Sequence, residues 1–375
     1  MTRIQKGFMR AGIALLSLEI LITTTGCIYM QLPQFGKKPT GQRLERIKQS
    51  PNYRDGRFQN LSPTTTVSEG YTFTGVMYDY LFRKKQDVKP DHTIPVVETD
   101  LQNLPAEDVL VWFGHSSYLL QVDGKKILVD PVLCGYASPV SWTTKAFAGT
   151  DVYKLEDLPA VDILLITHDH YDHLDYETMK GLKDKVGMVI CGLGVGAHLE
   201  HWGFPANRII EKDWWEKVAI SGNMNIHLTP ARHFSGRGLK RDQTLWTSFV
   251  VETASKKIFL GGDSGYDSHF AAIGKKFGGF DIAILENGQY NVAWQQIHTL
   301  PEELVQAAQD LNAKRILPVH SSKFDLGGHP WYEPLEMASK YAAEANLPLA
   351  TPMIGELVLL NDSSQVFTPW WQGIK

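Results

Sequence analysis

One ten-residue stretch constrains this chain more than any other: Ile166-Thr167-His168-Asp169-His170-Tyr171-Asp172-His173-Leu174-Asp175. It directly follows an apolar run that reads as a strand, and it sets four potential metal ligands, His168, His170, Asp172 and His173, within six residues. In an extended loop residues i and i+2 point to the same side, so His168 and His170 can converge on one ion. Asp172 and His173 come where the chain turns into a helical pattern, and can face a second ion beside the first. Such a loop needs a rigid sheet behind it and more donors from elsewhere. Three fit: His233 after Ile226-His227-Leu228-Thr229-Pro230, Asp263 after Ile258-Phe259-Leu260-Gly261-Gly262, and His320 after Ile316-Leu317-Pro318-Val319. Each closes a predicted strand.

The rest of the pattern supplies those sheets. Strands are predicted at Val109–Phe113, Tyr118–Val122, Lys126–Val129, Val161–Thr167, Val186–Cys191, Met224–Leu228, Thr247–Glu252, Lys257–Leu260, Asp281–Glu286, Arg315–Val319 and Leu357–Leu360, with Asp123-Gly124 a hairpin turn. Helices are predicted at Asp175–Lys183, Ala197–Trp202, Ser268–Phe277, Pro301–Leu311 and Pro334–Glu344; Pro301 followed by Glu302 and Glu303 is a helix start suited to the dipole. Hairpins followed by alternating strands and helices predict one α/β (α+β) domain over residues 105–375, sheets covered by helices. From Tyr29 to Leu104 scattered Pro and Gly and the lack of a sustained apolar period predict a tether and an extension wrapped on that domain, residues 27–104.

Composition narrows the chemistry. Lys and Arg number 37 against 41 Asp and Glu, a net charge of -4, so there is no basic excess to meet a phosphate backbone and nucleic acid is excluded as a general partner. Three cysteines are too few for a disulfide scaffold, and neither Cys134 nor Cys191 has the context of a nucleophile. No Gly-x-Ser-x-Gly elbow occurs. Imidazole and carboxylate are left to carry the chemistry. The sequence does not speak to oligomeric state.

With these residues in hand, the chain resembles the metallo-β-lactamase fold hydrolases: the His-x-His-x-Asp-His motif, His233, Asp263 and His320 stand in that family's order. The resemblance implies an αββα sandwich, two mixed β-sheets face to face with helices outside. It implies one metal held by His168, His170 and His233, another by Asp172, His173 and His320, and Asp263 bridging both, with the ions about 3.5–4 Å apart. Ligands of nitrogen and oxygen without thiolate suit Zn²⁺, with iron or manganese as alternatives. A nearer resemblance is to the branch containing the phospholipase D that hydrolyses N-acyl-phosphatidylethanolamine and its bacterial relatives. It rests on Gly56-Arg57-Phe58-Gln59-Asn60, Trp112-Phe113-Gly114-His115-Ser116-Ser117, Asp130-Pro131, His168 to Asp175, and Gly261-Gly262-Asp263-Ser264-Gly265-Tyr266. It implies hydrolysis of a small-molecule or lipid substrate, a phosphodiester with a lipid portion, by metal-bound hydroxide. The metals with Asp263 would position that nucleophile, Asp172 would be catalytic, and His298 would assist the leaving group. The alternatives are a lactone or amide hydrolase, including a β-lactamase, and an envelope lipoprotein without catalysis.

Further signals carry two readings each. His115 either orients the site or is a hydrogen-bonded core histidine; His298 and His329 are loop histidines that either act on substrate or hold structure. His198, His201, His227 and His269 read as structural. Gly192-Leu193-Gly194-Val195-Gly196-Ala197 formally matches a dinucleotide fingerprint, with Glu211 and Asp213 downstream, but it lies between metal motifs and reads as a tight strand-to-helix turn. At the N-terminus Arg3, Lys6 and Arg10 precede an apolar run from Ala11 to Ile22, short for a spanning helix, and then Thr23-Thr24-Thr25-Gly26-Cys27. This resembles a bacterial lipoprotein leader. It implies removal of residues 1–26 as a signal peptide, a lipid anchor at Cys27 and attachment to the periplasmic side of a membrane, the outer one by analogy because Ile28 is not Asp. Removal takes away three basic residues and one acid, leaving net -6, so attachment is expected through the lipid and not through overall charge.

Overall fold

The computed structural model describes residues 2–220 and 222–374. The chain begins with helix α1 (Arg3–Tyr29), α2 (Gly41–Lys48), a two-stranded hairpin of β1 (Tyr53–Arg54) and β2 (Arg57–Phe58), and α3 (Phe73–Phe82). Helix α1 continues past the expected end of the apolar run, through Gly26 and Cys27. As a result Gly12–Tyr29, with mean hydropathy 1.6, is long and apolar enough to cross a membrane, a criterion that a signal sequence also meets. Helices α2 and α3 lie where the sequence reading placed no element, since neither has a long apolar period.

Two sheets follow. The first holds β3 (Val109–Trp112), β4 (Tyr118–Val122), β5 (Lys125–Val129), β6 (Val161–Ile166), β7 (Val186–Gly192) and β8 (Ile209–Lys212); the second begins with β9 (Lys217–Ala219), β10 (Asn225–Thr229), β11 (Ser248–Glu252), β12 (Lys257–Leu260), β13 (Ile282–Glu286) and β14 (Ile316–Val319). The last strand, β15 (Leu357–Leu359), returns to the first sheet. The orders are β15-β3-β4-β5-β6-β7-β8 and β14-β13-β12-β11-β10-β9. The sheets are mixed: β5 to β8 and β12 to β14 run parallel, the rest antiparallel. The edge strands β8 and β9 are additions to the predicted set.

The strands read as continuous apolar runs because both faces are covered. Leu110, Trp112, Leu120, Val129, Ile163 and Leu165 face Ile226, Leu228, Phe249, Val251, Leu260, Ile284 and Leu317 in the core between the sheets. The alternate residues of the first sheet, Val111, Leu119, Leu128, Leu164 and Ile166, pack under α4 (Tyr176–Leu182) and α5 (Gly196–His201). Val250, Phe259, Ala283 and Leu285 of the second sheet pack under α6 (His269–Phe277), α7 (Pro301–Asp310) and α8 (Glu333–Glu344). This is the αββα sandwich, and five of the predicted helices stand within about a residue of their observed bounds.

Parallel strands end on one side, so the turns after β5, β6, β12, β13 and β14 gather at a single rim of the sandwich. That rim positions the site.

Candidate metal centre

The motif loop leaves β6 at Ile166 and closes on α4, which Asp175 caps by accepting from the Glu177 and Thr178 backbone N–H groups. His233 stands four residues beyond β10, Asp263 three beyond β12, and His320 directly after β14. Delivering Asp263 needs a left-handed residue: Gly262 has φ +60°, and a Cβ there would lie 2.9 Å from the Thr167 side chain. The two chain segments therefore touch at the point where their ligands meet.

His168, His170 and His233 converge. His168 Nε2 lies 2.9 Å from His170 Nδ1, which lies 3.2 Å from His233 Nε2. His233 Nδ1 donates to the Ile297 carbonyl at 2.9 Å, so its Nε2 presents a lone pair to the cluster. A second group comprises Asp172, His173, His320 and His115, whose ligand atoms lie within 4.8 Å of one another. Asp263 stands between the groups. Its Oδ1 is 3.1 Å from His173 Nε2 and 3.2 Å from His320 Nδ1, while its Oδ2 is 3.8 Å from His168 Nε2 and 3.7 Å from His233 Nε2.

These donors fit a cation. His173 Nε2 and Asp263 Oδ1 are buried without a hydrogen-bond partner, atoms that protein groups leave unsatisfied. Burial pushes His168, His233 and His320 well below the usual imidazole value, keeping them neutral as ligands must be. Burial also opposes ionisation of Asp172 and Asp263, yet the histidines around them, His173 foremost, together outweigh it and hold both well below the carboxylate range. Against its own burial, His173 is in turn held well above the usual imidazole value by Asp263 and Asp172, so a cation bound there would displace its proton. The all-nitrogen and oxygen set suits Zn²⁺, Fe or Mn.

A layer of hydrogen bonds orients these rings, and most of it was not assigned from sequence. Asp130, in the turn after β5, accepts from His173 Nδ1 at 2.8 Å and from the Thr167 backbone and hydroxyl. Ser116 Oγ is 2.9 Å from His320 Nδ1. His115 is fully buried and donates from Nε2 to Asp172 Oδ2 at 3.0 Å. Its backbone exchanges hydrogen bonds with the far loop, His115 N–H to the Ser321 carbonyl and His320 N–H to the His115 carbonyl, both 2.9 Å, and both histidines hold positive φ (+53° and +70°). His298 sits at the rim, its ring 5.0 Å from that of His233 and 5.4 Å from that of His320. Glu286, at the end of β13, accepts from His298 Nδ1 at 2.9 Å. Burial works against a charged His298, but Glu286 outweighs it and pushes the imidazole up to about 9. Glu286 carried one legible signal, a carboxylate closing an apolar strand.

Other histidines stand apart. His329 bonds the Gly288 and Pro330 carbonyls, His198 bonds Asp169, His227 bonds Glu252 and His269 bonds Ser264. The glycine-rich turn after β7 is filled by the chain itself: Glu211 Oε1 accepts from the Gly194 and Gly196 N–H groups at 2.7 and 3.0 Å, and Arg43 of α2 holds its other oxygen at 2.6 Å. The N-terminal extension also reaches the centre. Asn60 donates to the His233 carbonyl at 2.8 Å and accepts from the His233 N–H at 3.1 Å.

Comparison with known proteins agrees with this arrangement. The model of the beta-lactamase superfamily domain matches residues 125–321. An uncharacterized protein of Mycobacterium bovis is 38% identical over 333 residues, covering 87% of this chain and 88% of that protein. The N-acyl-phosphatidylethanolamine-hydrolyzing phospholipase D 1 of Caenorhabditis elegans is 31% identical over 261 residues, 64% of this chain and 72% of that one. The solved metallo hydrolase Igni18 of Ignicoccus hospitalis shares the fold, with TM-score 0.51 at 22% identity over 67% of this chain and 97% of that one. Family, fold and donor set agree: the chain belongs to the metallo-β-lactamase superfamily and is a metal-dependent hydrolase.

Proposed function

We propose that this hydrolase works through a dinuclear centre and cleaves a phosphodiester with a lipid portion. The observation that carries the dinuclear reading is the division of Asp263, one carboxylate oxygen toward His173 and His320 and the other toward His168 and His233. One ion would be held by His168, His170 and His233, the other by Asp172, His173 and His320, with Asp263 shared. Ions held there would supply Lewis acidity, polarising a phosphoryl or carbonyl oxygen and bringing the pKa of water toward neutrality. The protein's own part is orientation and proton traffic. Asp130 and the Ile297 carbonyl, which only accept, fix the tautomers of His173 and His233, and Ser116 braces the His320 ring. Asp172, steadied by His115, helps to place the attacking water. His298, kept protonated by Glu286, offers a proton to the departing oxygen. The lipid portion is supported by the kinship with the Caenorhabditis elegans enzyme, whose name specifies such a substrate. Attachment to the cell envelope is supported by α1, with Cys27 exposed near its end.

Elemental analysis of the purified protein at saturating metal, followed by a hydrolysis screen of phosphodiesters, lactones and β-lactams with His170→Ala as the blank, tests this reading. Two ions per chain and turnover of phosphodiesters support it. One ion per chain removes the dinuclear part, and efficient lactone opening with every phosphodiester ignored gives the reaction to the lactonase reading. Cys27→Ser releases the protein into the soluble fraction if the anchor is a lipid at that residue; wild type found soluble ends that proposal.

A further inference from the structure

Among the described residues of α2 to α8, α3 is the helix that buries nothing. Its sequence Phe-Thr-Gly-Val-Met-Tyr-Asp-Tyr-Leu-Phe is apolar on every side, and Phe73, Tyr78, Leu81 and Phe82 are 60 to 71% exposed. Soluble surfaces seldom carry such a contiguous patch without a partner. Arg83, Lys84 and Lys85 follow immediately and Lys89 a little later. Residues 73–89 thus hold four cations against the two acids Asp79 and Asp87, within a chain where acids outnumber cations.

The helix is also fastened to the site's own loops. On one side the Ser68 N–H donates to the Ala293 carbonyl at 2.8 Å, in the segment that leads to His298. On the other, the Trp331 N–H donates to the Asp87 carbonyl at 2.9 Å, in the segment that follows His320. Between α3 and those loops lies a cavity of about 570 Å³ whose lining includes Tyr80, Lys85, Val292 and Trp294.

We infer that residues 71–89 are a lipid-docking element that seats on an anionic bilayer surface, a contact separate from α1 and from the chain's overall charge. Aromatic side chains favour the level of the headgroups, where ring and polar tip are both satisfied. Cations beside them meet anionic lipid. A second copy of the chain is the poorer occupant, because an α3-to-α3 contact would bury the aromatic side chains but offer Arg83, Lys84, Lys85 and Lys89 only the two acids of the same segment, Asp79 and Asp87, and no anionic surface. Docked this way, the element holds the loops of His298 and His320 beside the membrane. The inference concerns binding and stands whether or not the substrate is a phosphodiester.

The test uses the full chain with a local probe, since α1 alone can keep the protein on vesicles. An environment-sensitive fluorophore on Tyr78→Cys, read against identically treated parent protein, reports the depth of α3. With phosphatidylglycerol in phosphatidylcholine vesicles the emission shifts to the blue and brominated acyl chains quench it; added salt reverses both. Replacing Arg83, Lys84 and Lys85 together by Gln lowers the docking equilibrium roughly a hundredfold. Emission unmoved by vesicles, or equal in zwitterionic and anionic ones, overturns the inference. So does a shift that follows protein concentration without lipid, the signature of a second copy. The lipid and salt titrations on Tyr78→Cys decide the matter even if the triple variant fails to fold.

Discussion

The sandwich and the N-terminal extension bind the same centre by opposite means. The sandwich delivers the candidate ligands from strand ends held by an apolar core on both faces of each sheet. The extension contributes little core, Ile47 and Phe58 against Trp214, Leu245 and Trp246 together with Ile94 and Leu101 at the margins of the sandwich, and is stitched down by polar contacts: Asn60 on His233, Arg43 on Glu211, and the Gln34 carbonyl on Arg237. Burial fixes where the ligand loops are; the polar stitches fix how one of those loops is turned. If that division is right, damage to the first region removes the centre, and damage to the second detunes it.

The largest effect is expected at Asp263. Asp263→Ala should drop turnover to background and lower the metal content below that of wild type, because both donor groups lose their shared carboxylate. Full metal content with intact activity would break the comparison at its root. Phe58→Ala in the extension should cost about 3–5 kcal/mol of stability, as for large-to-small changes in a well-packed site. Denaturant titration checks it, and a loss under half of this would mean the extension packs less firmly than Phe58, 1% exposed, implies.

Smaller still is the expectation for Asn60→Ala: about a 10–100-fold loss in metal affinity or kcat, with the melting curve nearly unchanged. An equal loss of stability would make Asn60 a packing residue and erase the distinction between the regions. The effect that is smallest at neutral pH concerns acid. Burial pushes His269, beside Ser264, down to about 3. The unfolded chain therefore takes up a proton near pH 6.5 that the folded one refuses. The stability this group contributes is complete above about pH 6.5 and falls by about 1.4 kcal/mol per pH unit as pH drops toward 3. His269→Gln should flatten the stability profile between pH 6.5 and 4 by that one-proton slope, as chemical denaturation at several pH values would reveal; an unchanged slope would assign the sandwich's acid sensitivity elsewhere.

The same contrast explains what the sequence could disclose. Strands such as Leu110–Trp112 and Ile163–Ile166 are legible because burial on both faces leaves an unbroken apolar run. Edge strands β8 and β9, short and half-polar, leave none. His168, His170, Asp172 and His173 are legible because their geometry is local. Asp130 and Glu286 act through rings 43 and 12 residues away, so no spacing announces them. Helix α3 hides for another reason: apolar on all sides, it has no stripe for a periodicity to find.

The hydrogen-bond exchange between the His115 turn and the loop of His320 also bears on time. Ser116 and His320 meet across 204 residues of chain, and long-range closures of this kind form late because their loop entropy must be overcome first. The first strand of the sandwich thus waits for the last ligand. If the centre holds two ions as proposed, a chain emerging stepwise carries the His168–His173 loop and His233 long before His320 arrives, and the first donor group can capture an ion before the second is made. Loading order would then follow synthesis order, and a release of partly made chains should yield a protein already holding a single metal.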